Sequence, residues 1–277
     1  MGQFKKVGVL HPGEMGVSIC QALADSGHDV LWVPEGRSAD TQARAAAFTG
    51  VSSLEEMAAQ ADYIFSICPP HAALAQAEAV AATGYKGVYI DANAVSPQTA
   101  RDVADFVGAN YVDGGVIGPP ATQPGSTRMY VSGELSEQVV ELFSAGSLEV
   151  ISIGEGTTRA STLKMAYAAY TKGSSALLLA VNALAEAGGV REALNQEWAI
   201  SQQGLGQRSE GTAKGTSRKA WRFVGEMEEI AATFDSFELP GDFHKGAAEV
   251  YARMSALKDV PPSELDDVIA YLLKREK

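Results

Sequence analysis

Along the first half of the chain, short apolar runs alternate with segments whose apolar residues recur every three or four positions. The runs have the length of buried strands, whereas the spacing of Met15, Ile19 and Leu23 places apolar side chains along one face of a helix. Strands that alternate with helices are joined by right-handed crossovers and form a mostly parallel sheet. The predicted strands are 6–10, 29–33, 63–67, 87–90, 111–112, 129–132 and 148–153. Four helices are predicted in this half: one that ends near residue 26, a short one that begins within 52–56, one over 71–82 and one that begins at 96.

The second half of the chain has a different pattern, because strand-like runs stop after Gly154. We therefore predict an α/β protein with an N-terminal Rossmann-type domain, residues 1–157, whose doubly wound sheet is mostly parallel. An all-helical C-terminal domain, residues 158–277, is expected to bind substrate and to form a dimer contact. The segment 204–217, rich in Gly, Ser and Lys, is predicted to be a loop. The predicted helices of this half are 161–187, 190–204, 215–235, 245–257 and 263–275.

The turn between the first strand and the first helix carries a glycine pattern. A dinucleotide site needs backbone amides at a helix N-terminus and glycines that let a pyrophosphate approach them. Gly13 and Gly16 match the second and third glycines of G-x-G-x-x-G, and His11 stands in place of the first. An ordinary strand-to-helix turn is the alternative, and the position of the motif favours the dinucleotide. The cofactor-binding residues predicted here are His11, Pro12, Gly13, Glu14 and Met15.

The end of the second strand decides which dinucleotide is expected. Glu35 suits the ribose hydroxyls of NAD, whereas Arg37 with Ser38 suits the 2′-phosphate of NADP. Arg37 and Ser38 are also compatible with a solvated loop. We favour NADP as the cofactor over NAD, and we assign Arg37 and Ser38 to its binding site.

Composition and charge limit the partners. The chain has 277 residues, 46% of them apolar, and its 22 Lys and Arg against 34 Asp and Glu give a net charge of −12. The composition is that of a globular protein, and the charge disfavours nucleic acid as a partner. Neither a signal peptide nor an apolar run of membrane-spanning length is apparent, so we expect a cytoplasmic protein without a membrane partner. Two cysteines and the lack of a His-Glu-x-x-His motif predict no metal site.

Taken in order, these motifs resemble the β-hydroxyacid dehydrogenase superfamily, which includes 6-phosphogluconate and 3-hydroxyisobutyrate dehydrogenases. Within it, the chain resembles a compact branch with a phosphogluconate-dehydrogenase-like C-terminal domain. The resemblance extends over nearly the whole chain and implies an NADP-dependent oxidoreductase that transfers a hydride between the nicotinamide and a small hydroxy acid or carbonyl acid. The matching segments are Gly13–Gly16, Cys68–Pro70, Asp91–Pro97, Asp113–Gly118 and Gly154–Lys164.

The resemblance also implies roles for individual residues. Lys164 corresponds to the catalytic lysine, and Asn93 lies in the loop that touches both cofactor and substrate. The turn beside the nicotinamide half of the cofactor is formed by Cys68, Pro69 and Pro70. The glycine-rich substrate loop is formed by Gly114, Gly115, Val116, Ile117 and Gly118. With Asn93, the amides of this loop suit a small-molecule substrate that carries a carboxylate.

The chain also departs from the family pattern. His11 replaces a glycine, and Asn93 stands where many relatives carry Ser or Thr. Ala168 occupies the position of the asparagine that usually follows the catalytic lysine by four residues, and the Lys-Asp pair of a later helix is absent from 225–229. The resemblance therefore implies the fold more strongly than a particular substrate.

The surroundings of Lys164 support its assignment independently. Lys164 and Lys172 are the only charged residues between positions 160 and 184. Burial of an ammonium group favours its neutral form, and such a lysine can act as a general acid or base. Tyr167 and Thr171 follow on the same helical face, so we predict a catalytic role for Tyr167 beside Lys164 and substrate contacts for Tyr167 and Thr171. The alternative is that Lys164 extends to solvent.

Three further points stay open at the level of sequence. His244 precedes a predicted helix and is a candidate substrate contact, although a capping or packing histidine explains it equally well. Imine reduction and a cofactor-binding regulatory protein without turnover are the alternatives to the dehydrogenase. The Ala- and Leu-rich helix after Ser161 predicts a homodimer, because it is more apolar than the cover of one small domain requires.

Overall fold

The structure is a computed structural model that describes residues 4–261 and 263–274. The chain divides into two compact units, one that ends at Met165 and one that begins at Ala166. The first unit is a Rossmann-like α/β unit and the second is helical, which confirms the predicted fold class. The domain boundary between 157 and 158, with its division of function, stays a prediction.

An eight-stranded sheet forms the centre of the first unit. Its strand order is β3-β2-β1-β4-β5-β6-β7-β8, and every neighbouring pair is parallel except β6 and β7, which are antiparallel. All seven predicted strands are present, whereas the two-residue strand β3 has no signal in the sequence pattern. The strands are β1 (Lys6–Val9), β2 (Asp29–Trp32), β3 (Thr49–Gly50), β4 (Tyr63–Ser66), β5 (Val88–Asp91), β6 (Tyr111–Ile117), β7 (Thr127–Ser132) and β8 (Leu148–Ser152).

Helices cover the two faces of the sheet, because successive strand residues point to opposite sides. On one face, Val7 and Val9 pack in a buried cluster with Ile19 of α1. On the other face, Ile64 packs in a second cluster with Met57 of α3. The helices of this unit are α1 (Glu14–Asp25), α2 (Ala39–Ala45), α3 (Leu54–Gln60), α4 (Ala73–Ala82), α5 (Pro97–Val107) and α6 (Ser136–Val140).

The strand order creates the place where a ligand is expected. The order in which the strands are added to the sheet reverses between the parallel neighbours β1 and β4. Open α/β sheets bind ligands outside the carboxyl ends of the strands at such a point. His11 follows β1, Cys68 follows β4, Asn93 follows β5, and Val116 lies near the end of β6. The predicted site residues of the first unit therefore lie along one edge of the sheet, the one formed by the carboxyl ends of the parallel strands.

The second unit consists of helices. The helix α7 begins in the first unit and continues into the second. Residue 275, where the last helix was predicted to end, lies outside the described residues. No helix in the described part of the chain combines the length and apolar character needed to cross a membrane. The helices are α7 (Arg159–Ala187), α8 (Arg191–Ser201), α9 (Leu205–Thr216), α10 (Ala220–Ser236), α11 (Asp242–Arg253) and α12 (Leu265–Leu273).

The predicted loop at 204–217 is wrong, because most of this segment forms α9. Its glycines weaken the intrinsic preference for helix. The helix is held by tertiary contacts instead: Ser209 and Ala213 are buried, and the Asn182 side-chain amide donates a hydrogen bond to the Ser209 hydroxyl at 3.0 Å. Packing therefore outweighs local propensity here.

Candidate active site

The turn between β1 and α1 has the geometry of a phosphate-binding turn. Gly13 is the N-cap of α1, and its amide donates to the His11 carbonyl at 2.8 Å. Open space surrounds the position that a Cβ of Gly13 would occupy, whereas a Cβ at Gly16 would overlap the His11 carbonyl oxygen. The two positions thus have the two roles that glycine has in dinucleotide motifs: close approach of the ligand and close packing of helix on strand.

His11 adds a neutral imidazole to this turn. Burial and, as the smaller cause, the nearby Arg37 cation together lower the pKa of His11 to about 4. The ring is therefore uncharged at neutral pH. Its Nδ1 is buried and has no hydrogen-bond partner among the described residues. A polar atom of this kind fits a polar ligand at the end of β1.

Arg37 lies near the same edge of the sheet. The turn after β2 is closed by the Arg37 amide, which donates to the Pro34 carbonyl at 3.2 Å, with Gly36 at a φ of +72°. Arg37 is half-buried, its Nε lacks a partner among the described residues, and burial lowers its pKa. Its charge also acts to lower the pKa of the Cys68 thiol after β4, against the larger effect of burial. A guanidinium with an unsatisfied donor beside a helix N-terminus fits the phosphates of a dinucleotide.

Ser38 has a local role as well. It is the N-cap of α2, and its hydroxyl oxygen accepts a hydrogen bond from the Thr41 amide at 3.3 Å. The Ser38 hydroxyl in turn donates to the Thr41 hydroxyl at 3.1 Å. Ser38 is exposed, so its predicted contact with the 2′-phosphate stays a prediction.

Asn93 joins the ends of β4 and β5. Its side-chain oxygen accepts the Cys68 amide proton, its side-chain nitrogen donates to the Ser66 hydroxyl at 3.0 Å, and its own amide donates to Asp91 at 3.0 Å. Asn93 is buried, and its hydrogen bond to the Cys68 amide stabilises the Cys68 turn from inside the protein. The contacts predicted for Cys68, Pro69, Pro70 and Asn93 with cofactor or substrate stay predictions. Burial raises the pKa of the Cys68 thiol to about 11, so this thiol is protonated at neutral pH.

The expected glycine-rich loop at 114–118 is wrong as a description of structure. Gly114, Gly115, Val116 and Ile117 are buried residues of β6, paired with β7, and only Gly118 lies beyond the strand. The structure gives the glycines a packing reason. A Cβ at Gly115 would lie 2.8 Å from the Ala160 carbonyl oxygen of α7, and a Cβ at Gly114 would lie 3.0 Å from the Asp91 carbonyl oxygen of β5. Their contact with a substrate stays a prediction.

Lys164 is held at the carboxyl end of β6. Its Nζ donates a hydrogen bond to the Val116 carbonyl at 2.7 Å, and the residue is half-buried. The side chain therefore folds back onto the sheet rather than extending to solvent. This contact places the ammonium group at the edge that also carries His11 and Cys68.

The remaining predicted site residues belong to the second unit. Tyr167 is about half exposed, and the Thr171 hydroxyl donates to the Tyr167 carbonyl at 3.1 Å within α7. His244 is buried against Phe234, with ring centroids 4.4 Å apart, and against Phe243 at 5.2 Å. Burial lowers the pKa of His244, which is consistent with a packing histidine. Substrate contacts of these three residues stay predictions.

Two buried carboxyl groups were not found from the sequence. Asp91 and Asp113 pair in register across β5 and β6, and burial raises their pKa values to about 7 and about 6. Asp113 accepts hydrogen bonds from the backbone amide and the hydroxyl of Ser161, at the start of α7. In the sequence each follows a predicted strand and begins a segment that resembles the family, but no role was assigned to either carboxyl group. In the part of the chain that is described, no group of three or more His, Cys, Asp or Glu side chains could hold a metal ion.

Comparison with known families identifies the class of protein to which this chain belongs. Residues 6–154 match the family described as the NAD binding domain of 6-phosphogluconate dehydrogenase, and residues 185–254 match a domain of unknown function, DUF1932. The chain belongs to the β-hydroxyacid dehydrogenase superfamily, and its first unit is an NAD(P)-binding domain.

The chain is also similar to two proteins whose function is not described. An uncharacterized 28.5 kDa protein of Methanothermus fervidus is 30% identical over 185 residues, which are 65% of this chain and 70% of that protein. A conserved hypothetical protein from Sinorhizobium meliloti is 24% identical with a TM-score of 0.71, over 98% of this chain and 96% of that one.

Two functionally described structures share the fold. The 3-hydroxyisobutyrate dehydrogenase of Mycobacterium tuberculosis, solved with L-serine, is 17% identical with a TM-score of 0.69, over 98% of this chain and 100% of that one. A reductive aminase from Aspergillus terreus, in complex with NADPH and ethyl levulinate, is 16% identical with a TM-score of 0.54, over 97% and 99% of the two chains. At these identities, the likeness establishes the fold alone.

Proposed function

We propose that the protein is an NADP-dependent oxidoreductase that interconverts a small hydroxy acid and the corresponding carbonyl acid, with Lys164 as general acid and base. The observation that carries the proposal is the contact of Lys164 Nζ with the Val116 carbonyl, 2.7 Å away at the carboxyl end of β6. This contact holds a proton-transfer group at the sheet edge where open α/β folds bind their ligands.

The cofactor is proposed to lie along the edge formed by the ends of β1, β2 and β4. The amides at the start of α1 and the neutral His11 would hold the pyrophosphate, with Gly13 leaving room for it. Arg37, half-buried and with an unsatisfied Nε, would hold the 2′-phosphate, which favours NADP over NAD. When bound, the nicotinamide supplies the group that accepts or gives the hydride.

The protein residues would supply the proton transfer. In the direction of oxidation, Lys164 accepts the proton of the substrate hydroxyl, and in the direction of reduction it returns a proton to the forming alkoxide. The Val116 carbonyl fixes the direction of the ammonium group. Tyr167 is proposed as a second hydrogen-bond donor, because Ala168 provides no amide where relatives have asparagine. The substrate carboxylate is proposed to bind near Gly118.

Imine reduction is the second candidate. Likeness of the fold to a reductive aminase in complex with NADPH favours it. The greater likeness to a 3-hydroxyisobutyrate dehydrogenase and the presence of Lys164 favour the hydroxy acid. A cofactor-binding regulator is disfavoured, since binding alone does not require a lysine at the end of β6.

A titration followed by a substrate panel tests the proposal. NADPH binding is measured by fluorescence, and NADPH oxidation is then followed with a panel of small carbonyl acids and a panel of imines. We expect NADPH to bind and carbonyl acids to be reduced. Turnover of imines alone would support the second candidate, and tight binding without any turnover would support the regulator.

A further inference from the structure

We propose that Asp113 is a positioning residue for Lys164, because it caps the N-terminus of α7 and so fixes where Lys164 meets the end of β6. The inference rests on the proposed role of Lys164 and deepens it. Asp113 is itself completely buried, so it acts through the helix and not on a ligand.

The cap consists of side chains from two strands. The backbone amide of Ser161 donates to Asp113 Oδ2 at 2.8 Å, and the Ser161 hydroxyl donates to Asp113 Oδ1. The amide of Ala160 donates to the Ser132 hydroxyl oxygen at 3.1 Å, and that hydroxyl donates to Asp113 Oδ2 at 3.3 Å. Two amides of the first turn of α7, which have no partner within the helix, are therefore bound by β6 and β7.

A second contact joins the same two elements further along. Lys164 Nζ reaches the Val116 carbonyl three residues after Ser161 on the helix and three residues after Asp113 on the strand. Gly115 lies between the two contacts and allows the close approach, because a Cβ there would lie 3.0 Å from Lys164 Cβ. One contact alone would let the helix turn about it. Two contacts define both the rotation and the height of α7 on β6, and hence the position of Lys164.

Removal of the cap should therefore loosen the position of Lys164 at the end of β6. In Asp113→Asn the side chain keeps its size, but its single oxygen replaces only one of the two carboxylate oxygens that accept from the Ser161 amide and hydroxyl, and its NH₂ group takes the place of the other. In Ser161→Ala the carboxylate and the backbone contact remain, and one hydrogen bond is lost. Ser136→Ala is the matched control, because Ser136 is a buried serine of α6 whose hydroxyl bonds to Ser152 at 2.9 Å and not to α7.

The experiment measures Lys164 directly in the full chain at pH 8. The rate at which acetic anhydride labels Lys164 is read by peptide mass spectrometry, and deuterium exchange is followed for the amides of 160–162. We expect labelling to rise about fivefold or more in Asp113→Asn and about twofold in Ser161→Ala, with faster exchange in both. The Ser136→Ala variant should match the wild type, and the Kd for NADPH should change less than about twofold in every variant.

Turnover provides the second readout. With a substrate identified from the panel, kcat should fall about tenfold in Asp113→Asn while KM changes less than twofold. Unchanged labelling and exchange in a folded Asp113→Asn, or in Ser161→Ala if the first variant does not fold, would overturn the inference. Labelling needs no substrate, so a chain that turns nothing over but shows the labelling change refutes the proposed function and leaves the positioning role standing.

Discussion

The carboxyl group of Asp91 is completely buried at the end of β5, and its Oδ2 has no hydrogen-bond partner among the described residues. Burial raises the pKa of Asp91 to about 7, and the charge of Asp113 on the neighbouring strand acts in the same direction. In the unfolded chain an aspartate titrates near pH 4. Between these values the folded protein holds a proton that the unfolded chain has lost. This contribution to stability is therefore complete below about pH 4 and is lost as the pH rises through 7.

Asp91→Asn tests the predicted loss of stability with rising pH. An amide carries no charge at any pH, so the free energy of unfolding of the wild type relative to the variant should fall by about 2–3 kcal/mol between pH 5 and pH 8. Urea unfolding at the two pH values measures it. Asp105→Asn, on the exposed face of α5, should leave the pH profile of the wild type unchanged. Parallel profiles for the wild type and Asp91→Asn would show that this carboxyl group is ionised in the folded state.

The proposed preference for NADP over NAD rests on Arg37. Replacement by Ala removes a charge-assisted contact to a phosphate, so the Kd for NADPH should rise about 10- to 100-fold while the Kd for NADH changes little. In the proposed site Glu35 would repel the same phosphate, so Glu35→Gln should tighten NADPH binding. Fluorescence titration measures both. If Glu35→Gln instead weakens NADPH and NADH alike, the electrostatic explanation fails.

At the scale of elements, strands and helices with a clear apolar pattern were predicted from the sequence, whereas elements that depend on tertiary packing were missed. The strand and helix patterns of the first unit gave seven of the eight strands, and α9 was missed because its stability comes from contacts such as Asn182 with Ser209. The end of β6 was missed because glycines are disfavoured in strands. They occur there since α7 passes too close for a side chain at Gly115. A contact between residues that are 48 positions apart, such as Asp113 with Ser161, has no local signal.

The surface of α7 in the second unit supports the predicted homodimer. Tyr170, Leu177 and Leu184 recur at a spacing of seven residues and are 69%, 50% and 73% exposed in the single chain. A row of exposed apolar side chains on one helix is typical of an interface. We propose that a second copy of the chain covers it.

Light scattering at micromolar concentration tests the dimer. The wild type should have twice the mass of the 29.1 kDa chain, and Leu177→Glu with Leu184→Glu should reduce it to one chain. Phe106→Glu, an exposed apolar residue on α5 of the first unit, is the control and should remain dimeric. A wild-type mass of one chain would contradict the proposal.

For the whole molecule, the net charge of −12 disfavours any anionic ligand, so a dinucleotide must be held by local groups. The candidates are few: the amides of α1, the neutral His11 and the half-buried Arg37. The sequence motif and the family resemblance predicted these candidates, because the turn after β1 and the end of β2 are local patterns. The unsatisfied Nε of Arg37 and the lowered pKa of His11 depend on folding and were not predictable.

Binding and turnover should be separable in this molecule, because the groups proposed to hold the dinucleotide differ from the group proposed to move the proton. The most direct test is therefore Lys164→Ala, measured for NADPH affinity and for carbonyl-acid reduction in the same preparation. We predict a Kd for NADPH within about twofold of the wild type and a loss of turnover of about 10²- to 10⁴-fold. Near-full turnover by Lys164→Ala would contradict the assignment of Lys164 as the proton-transfer residue.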